Sequence, residues 1–382
     1  MLRVCFITED FYPSIIGGQG IYGKNLVEAL IKKNVAVTVL AEKREGREKY
    51  WRNKKNIQVF LVPFVFGNQL LLALLEYIYF LLRFNKVYFD IVHVNQLSGL
   101  FFVLFKPTNV GKVLVSVHNT YADLSEKTSS VSRKTFYQPL MLLEGIVYKR
   151  ADGLIFNTSS EKILLDKNYH TSSISSRIAP FGAPQIKNLQ KEKRDAEKLI
   201  RKKLGLTNEK IILYVGRLVK RKRVDVVVRM LKTLERQKGI VGVIIGDGPE
   251  REYLESIACK NTFFVGFEKN PQQYFLGADV FVNFSVAEGG VILTALEAAS
   301  CGLPMLLSHE SVEESLLKNG YNGYYSDSQN PHILAKKVYE ILKKARQMGE
   351  NSRKLVRQYT WDNCARQTIS FYQSVQKEQY MH

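Results

Sequence analysis

The chain has 382 residues, of which 46% are hydrophobic and 24% are charged, and its formal net charge is +19. This composition supports full hydrophobic cores and excludes a disordered chain, and the length suits two domains of ordinary size. The positive charge favours anionic partners, such as a nucleotide diphosphate, an anionic membrane surface or nucleic acid.

The cysteines and the amino terminus indicate a compartment. Cys5, Cys259, Cys301 and Cys364 have no metal-ligand or redox spacing. They are typical of reduced, buried thiols in a cytoplasmic protein. The first residues run directly into an apolar strand pattern without a small-residue cleavage site, so we expect no signal peptide.

The first half of the chain alternates strand and helix patterns. An apolar strand at 4–8 leads through a glycine-bearing loop to a helical pattern at 21–33 and a second strand at 35–40. Further strand patterns lie at 57–62, 91–94, 112–117 and 153–156. Strands separated by helices predict right-handed βαβ units and a parallel sheet.

The segment 69–82 is unusually apolar and contains Glu76. A helix that crosses a bilayer needs roughly 20 apolar residues, so this segment is too short to span one. Two interpretations remain open. The segment is either a core helix or a helix that dips into a membrane interface, helped by the basic cluster at 43–55.

The second half repeats the alternation. Strand patterns lie at 211–215, 241–245, 262–265, 279–284 and 305–307. Helical patterns lie at 224–237, 250–259, 271–276, 291–301, 331–347 and 361–376. Gly302 and Pro304 follow the fourth of these helices and predict its end. The chain is therefore predicted to be α/β, with two doubly wound domains.

Gly216, Arg217 and Lys222 follow the strand at 211–215. Open α/β sheets bind ligands beyond the carboxyl ends of their strands. Arginine offers a planar fork to phosphate oxygens and lysine a compact charge, so this loop suits a diphosphate. The alternative for the two cations alone is a solvated basic loop.

A second segment begins at Ser285 and continues through Glu288 and Glu297 to Gly302 and Pro304. Together with the loop after residue 215, it resembles the donor-site signature of retaining glycosyltransferases of family 4. The resemblance covers nearly the whole chain. It implies the GT-B fold, with two Rossmann-like domains facing across a cleft. The first would be an acceptor domain at 1–184, with the helix at 361–382 packing back on it, and the second a donor domain at 185–360.

The resemblance also assigns residues in the first domain. Gly17 and Gly18 resemble the family's glycine loop, where backbone N–H groups approach an anion. His118 ends a strand pattern and resembles the active-site histidine beside the donor sugar, where a neutral imidazole can bond a hydroxyl. The alternative for His118 is a satisfied core histidine. His93 ranks below it.

Glu288 and Glu297 resemble the two family glutamates that lie by the sugar and bond the ribose. Glu297 fits well, because it precedes a run of small residues. The pair is nine residues apart here, against eight in the family. Either the loop before the helix absorbs the extra residue, or Gly289 takes the family glutamate position.

The start of the same helix and one further loop complete the implied donor site. N–H groups of Gly290, Val291 and Ile292 can point at a phosphate. Phe267 follows the strand at 262–265 and resembles the segment beside the nucleobase. These assignments all rest on the resemblance.

The resemblance implies a nucleotide-diphosphate sugar as donor, by default a uridine diphosphate sugar, with retention of configuration. Arg217 and Lys222 would replace a metal, so we expect neither metal nor cofactor. The acceptor would be a glycan or a lipid-linked precursor at the cytoplasmic face of an anionic membrane. The alternatives are a sugar-nucleotide 2-epimerase of the same fold and a basic nucleic-acid-binding protein, although we expect no nucleic acid.

Overall fold

The structure is a computed structural model that describes residues 1–11, 17–43, 57–63, 68–118, 120–126, 130–235, 239–286, 292–309 and 315–377. The chain divides into two compact units. The first contains Met1–Gly182 and Trp361–His382, and the second contains Ala183–Thr360.

The first unit contains a seven-stranded parallel sheet in the order β3-β2-β1-β4-β5-β6-β7. Its strands are β1 Arg3–Thr8, β2 Ala36–Glu42, β3 Ile57–Val62, β4 Phe89–Asn95, β5 Val110–Ser116, β6 Gly153–Phe156 and β7 Ser176–Ile178. The chain builds outward from β1 to β3 and then returns with β4 on the other side of β1. The strand order therefore reverses between β1 and β4, which is where such sheets bind ligands.

Helices cover both faces of this sheet. They are α1 Gly18–Lys32, α2 Gln69–Phe84, α3 Leu100–Leu104, α4 Tyr121–Glu126, α5 Val131–Arg150 and α6 Ser159–Tyr169, and the carboxyl-terminal helix α14, Trp361–Lys377, also belongs here. Successive residues of β1 alternate between the two faces. Phe6 packs in one core with Leu26 and Tyr372, whereas Ile7 packs in the other with Phe80. Helix α14 thus completes the core of the unit in which the chain began.

Helix α2 has one buried and one exposed side. Leu72, Ala73 and Glu76 are buried. Leu71, Ile78, Leu81 and Leu82 are exposed large hydrophobic residues. The interpretation as a core helix holds for the buried side of α2. The interpretation as a helix that dips into a membrane interface stays a prediction for the exposed side. The described helices contain none that is long and apolar enough to cross a membrane.

The second unit contains a six-stranded parallel sheet in the order β10-β9-β8-β11-β12-β13. Its strands are β8 Lys210–Val215, β9 Ile240–Ile245, β10 Thr262–Gly266, β11 Val280–Asn283, β12 Met305–Leu307 and β13 Gly323–Tyr325. Its helices are α7 Leu189–Leu204, α8 Val224–Leu234, α9 Arg251–Ile257, α10 Gln272–Gly277, α11 Leu293–Ser300, α12 Pro331–Lys343 and α13 Ala345–Val356. Here the strand order reverses between β8 and β11.

The predicted α/β class and its parallel sheets are confirmed. The prediction of one helix at 331–347 was wrong, since α12 ends at Lys343 and α13 begins at Ala345 and continues to Val356. Strands β7 and β13 were not predicted. Both have three residues and lie at sheet edges, so neither produces a long apolar pattern.

Candidate functional site

The loop after β8 lies at the point of strand reversal in the second sheet. It runs from Gly216 into a short 3-10 turn, Lys220–Lys222, and then into α8. Arg223, at the start of α8, has a positive φ of 47°, a strained conformation for a residue with a side chain. This constraint acts on the backbone where the basic loop enters α8.

Glycines of the next loop allow this arrangement. Gly246 follows β9, and a Cβ added there would lie 1.9 Å from the carbonyl oxygen of Gly216. A Cβ added to Gly248 would lie 2.4 Å from the carbonyl oxygen of Leu218. Leu218 N–H donates to the carbonyl oxygen of Asp247 at 2.9 Å. The Gly246–Gly248 turn therefore packs closely against the backbone of the basic loop and bonds to it.

Arg217 is exposed, and its guanidinium forms no ion pair or hydrogen bond within the described part of the chain. Lys222 is partly buried on the adjoining 3-10 turn. Val286 N–H donates to the carbonyl oxygen of Arg221 at 2.9 Å. This bond joins the basic loop to the segment that follows β11, so the two predicted donor-site segments meet across the point of strand reversal.

The segment after β11 is held by neighbouring polar groups. Ser285 N–H donates to Asn283 Oδ1 at 2.9 Å, and Ser308 Oγ donates to the carbonyl oxygen of Ser285 at 2.6 Å. Glu288, Gly289, Gly290 and Val291 lie outside the described residues. Their predicted roles, and the choice between Glu288 and Gly289, stay predictions. Ile292 is described as the residue that precedes the first turn of α11.

Glu297 lies in the middle of α11, among buried alanines and leucines. Its carboxylate forms no side-chain hydrogen bond with any described residue. The surrounding protein raises its pKa to about 7, because burial disfavours the charged form. A partly exposed carboxylate without a protein partner suits a ligand that supplies hydroxyl donors.

Phe267 follows β10 at the same edge of the second sheet. Its side chain is 73% exposed, which is unusual for a phenylalanine. Gly266 has φ +85° and accepts a hydrogen bond from Gly246 N–H at 2.9 Å. The exposed ring therefore stands next to the turns that follow β8 and β9.

His118 lies two residues beyond the end of β5 in the first unit and is 9% exposed. Its ring packs edge-on against Tyr22 at 5.1 Å and stacks on Phe181 at 6.1 Å. Burial lowers its pKa to about 4, so the imidazole is neutral at pH 7. Nε2 has no hydrogen-bond partner in the described residues.

His93 contrasts with His118. Its Nδ1 lies 2.6 Å from the hydroxyl of Tyr372 and its Nε2 lies 2.6 Å from the hydroxyl of Ser116. Burial lowers its pKa to about 3. Both ring nitrogens are satisfied by the protein, so His93 has the structural role that its lower rank suggested.

The glycine loop leads directly into α1, which begins at Gly18. Gly17 N–H donates to Asp10 Oδ2 at 3.0 Å. A Cβ on Gly20 would lie 2.7 Å from the same oxygen. A carboxylate of the protein therefore lies against this loop, and the contact predicted between Gly17 and Gly18 and a ligand stays a prediction. The sequence patterns gave no signal for Asp10, although its place after β1 could have indicated it.

Two further features were missed by sequence reasoning. Gln96, immediately after β4, has φ +47° and accepts a hydrogen bond from Gln19 Nε2 at 3.0 Å. His309, just after β12, has Nδ1 2.6 Å from Asp327 Oδ2 and stacks on Tyr325. Their position after strand ends is the signal that could have found them. Among the described residues, no group of three or more His, Cys, Asp or Glu is placed to hold a metal ion.

Known families match both units. A model described as Glycosyltransferase Family 4 matches residues 16–182, and one described as Glycosyl transferases group 1 matches residues 196–355. The chain belongs to the family 4 glycosyltransferases, as the resemblance predicted.

The sequence similarity to known relatives covers most of the chain. It is similar to an uncharacterized glycosyltransferase of Methanocaldococcus jannaschii, with 27% identity over 97% of this chain and 98% of the relative. It is also similar to the alpha-monoglucosyldiacylglycerol synthase of Acholeplasma laidlawii, with 24% identity over 87% and 90%. The structure of Anabaena HepE in complex with UDP and glucose shares the fold, with a TM-score of 0.74, 16% identity, and 98% and 100% coverage.

Proposed function

We propose that the protein is a retaining glycosyltransferase that moves a hexose from a uridine diphosphate sugar to a hydroxyl group. The observation that carries this proposal is the Arg217 guanidinium, which has no protein partner where the second sheet reverses its strand order. Together with Lys222 it suits the pyrophosphate of the donor. The complex of Anabaena HepE with UDP and glucose supports the choice of base and sugar.

Each site residue has a role in this reaction. The acceptor oxygen bonds to the anomeric carbon while the carbon–oxygen bond to the diphosphate breaks. The departing phosphate oxygen takes the acceptor proton on the same face. Arg217 and Lys222 stabilise the negative charge that develops on the diphosphate, in the role that a metal ion would otherwise have. Glu297 accepts hydrogen bonds from the ribose, and Phe267 lies against the base.

The neutral His118 completes the proposal from the first unit. Its unpartnered Nε2 can bond a hydroxyl of the donor sugar. The low pKa keeps the ring uncharged at pH 7, so it does not repel the cationic character that develops at the anomeric carbon.

Nucleotide binding tests the donor. We expect uridine diphosphate to raise the melting temperature more than guanosine or adenosine diphosphate, since a ligand at 100 times its Kd adds about 2.7 kcal/mol of stability. Arg217→Ala should abolish the shift. Arg346→Ala, at a guanidinium with 93% side-chain exposure on α13, is the matched control and should retain it. No shift by any nucleotide in the wild-type protein would contradict the proposal.

We further propose that the acceptor is lipid-linked and is reached at the cytoplasmic surface of an anionic membrane. The exposed side of α2 presents Leu71, Ile78, Leu81 and Leu82, and Arg83 and Lys86 are exposed at its end. Apolar side chains beside cations suit an anionic interface. The similarity to an alpha-monoglucosyldiacylglycerol synthase, an enzyme named for a glycolipid product, is compatible with this choice. Apart from Lys43, the basic cluster at 43–55 lies outside the described residues.

Vesicle flotation tests the membrane proposal. Wild-type protein should float with phosphatidylglycerol vesicles at low salt and not with phosphatidylcholine vesicles. The double substitution Leu81→Ser and Leu82→Ser should reduce flotation, whereas Leu199→Ser, at an exposed leucine of the second unit, should not. Wild-type protein that stays in the soluble fraction would remove the membrane from the proposal.

A further inference from the structure

A row of aromatic rings lies at the carboxyl edge of the first sheet. Tyr121 begins α4, which follows β5, and its ring contacts Tyr137 of α5 with centroids 5.6 Å apart. Phe136 extends the row, at 5.9 Å from Tyr137. Phe136 is 65% exposed, so the row ends at an uncovered ring.

Polar groups border the same row. The Tyr121 hydroxyl donates to Gln69 Oε1, and Gln69 Nε2 donates to Glu9 Oε2 at 3.4 Å. Gln69 begins α2 and Glu9 follows β1, so segments that follow three different strands meet here. Burial raises the pKa of Tyr121, which keeps the phenol a neutral hydrogen-bond donor at physiological pH.

The backbone of Tyr121 is held by a hydrogen bond to the buried carboxylate of Glu144. Its N–H donates to Glu144 Oε2 at 2.8 Å, and the Tyr169 hydroxyl donates to the same oxygen at 2.6 Å. The Tyr148 hydroxyl donates to Glu144 Oε1 at 3.1 Å. A side chain held at both its backbone and its hydroxyl is preorganised, which is typical of a binding residue and costs little ordering entropy when ligand arrives.

The chemistry of this surface selects its ligand. Aromatic rings that are exposed, as Phe136 is, or partly exposed, as Tyr121 and Tyr137 are, can pack against the C–H face of a pyranose. The neighbouring amide and carboxylate oxygens can bond its hydroxyl groups. A carboxylate at the border disfavours a phosphate. Glu9, Gln69, Tyr121, Phe136 and Tyr137 therefore suit a neutral, hydroxyl-rich ring.

We propose that these five residues form a saccharide wall, a binding surface for a pyranose ring of the acceptor. The proposal rests on the function proposed above and adds a substrate class to it: the acceptor carries at least one sugar residue next to the hydroxyl that is glycosylated. A free lipid alcohol has no such ring and would leave the wall unused.

Binding of simple glycosides tests the wall without knowledge of the acceptor. Saturation-transfer difference NMR with methyl β-D-glucopyranoside and methyl α-D-mannopyranoside should show transfer to ring C–H protons in the wild-type protein. The double substitution Phe136→Ala and Tyr137→Ala should weaken at least one of these contacts about fivefold or more. Glycerol, a polyol without a ring, should show no difference between the proteins.

Phe105→Ala is the matched control, because Phe105 is 61% exposed in the same unit and takes no part in the ring contacts of the wall. It should retain wild-type glycoside contact. Equal transfer in the wild type and the double variant, or no transfer to either glycoside in the wild type, would overturn the proposal. So would a double variant that loses only vesicle flotation, since the rings would then contact lipid.

The uridine diphosphate melting shift separates this proposal from the one on which it rests. The double variant should retain that shift in full, because neither residue is among those proposed to hold the diphosphate, the ribose or the base. If the wild-type protein contacts the glycosides but no nucleotide shifts its melting temperature, the proposed nucleotide-sugar donor would be wrong. The proposal of a saccharide-binding surface would stand.

Discussion

The carboxyl edges of the two sheets differ in how their polar groups are satisfied. In the first sheet, the Ser116 hydroxyl bonds both Tyr22 and His93 in the core, and Gly17 N–H bonds Asp10. In the second sheet, Arg217 and Glu297 have no side-chain partner among the described residues. Since folded chains satisfy most buried polar groups internally, a buried group without a partner is a stronger indication of a ligand than an exposed one such as Arg217. His118 Nε2 is such a group in the first unit, and Asn95 Oδ1 and the Glu76 carboxylate are others among its described residues.

The largest effect should come from Arg217. Arg217→Ala should lower turnover about a hundredfold or more, the scale for loss of one group that stabilises developing negative charge. Lys222→Ala should act in the same direction. Initial rates with a uridine diphosphate sugar measure both, with Arg346→Ala as the control. Near-normal turnover by either variant would count against an anion site in the second unit.

The buried Glu76 of the first unit should make the free energy of unfolding depend on pH. Burial raises its pKa from 4.5 to about 8, while a nearby Ser98 hydroxyl opposes the shift. A raised folded-state pKa means that the native state binds the proton more tightly. The stabilisation is therefore complete below pH 4.5 and is lost as the pH rises toward 8.

Between pH 5.5 and 7 this carboxyl should remove about 2 kcal/mol of unfolding free energy, and Glu76→Gln should flatten that part of the profile. Urea unfolding at several pH values measures the slope. Glu350→Gln, at an exposed carboxylate on α13, should keep the wild-type profile. An unchanged slope in Glu76→Gln would show that the buried carboxyl does not titrate in this range.

The two histidines sharpen the comparison within one unit. His118→Ala should lower turnover about tenfold, and its effect on the melting temperature should come only from the lost ring packing against Tyr22 and Phe181, because Nε2 has no partner among the described residues to lose. His93→Ala should lower the melting temperature more, because Ser116 and Tyr372 would also be left without their bonds. If His93→Ala lowered turnover and His118→Ala mainly lowered the melting temperature, His93 would be the histidine at the donor sugar and His118 the structural one.

The smallest effect should come from Glu297. Glu297→Gln should weaken uridine diphosphate binding severalfold, on the scale of one or two hydrogen bonds to a charged group. With a pKa of about 7, the wild-type carboxyl gains charge from pH 6 to 8, so nucleotide affinity should rise over that range. Titration calorimetry should show this rise in the wild type and not in the variant. A pH-independent affinity in both proteins would exclude the ribose contact.

Local patterns were sufficient where an element is long and regular. The runs at 211–215 and 153–156 are continuous apolar stretches, and they became the buried strands β8 and β6. The break at Lys344 between α12 and α13 was not predicted, because no glycine or proline marks it and both sides are good helix formers. Tyr121 was not identified either, since its importance comes from contacts with Gln69 and Glu144, which are distant in sequence.

The sequence by itself determined the α/β class, the family and the placement of Arg217, Lys222 and Glu297 next to strand ends, because apolar periodicity and strand-end position are local properties. Only the tertiary structure decided which polar groups remain without a protein partner. It gave His93 two hydrogen-bond partners and left His118 Nε2 without one among the described residues. It also brought Asp10 to the N–H of Gly17. Finally, it placed Phe136, Tyr137 and Tyr121 in one row. Whether a polar group finds a hydrogen-bond partner, and whether aromatic rings line up, depends on residues that are distant in the sequence. No local pattern encodes these contacts.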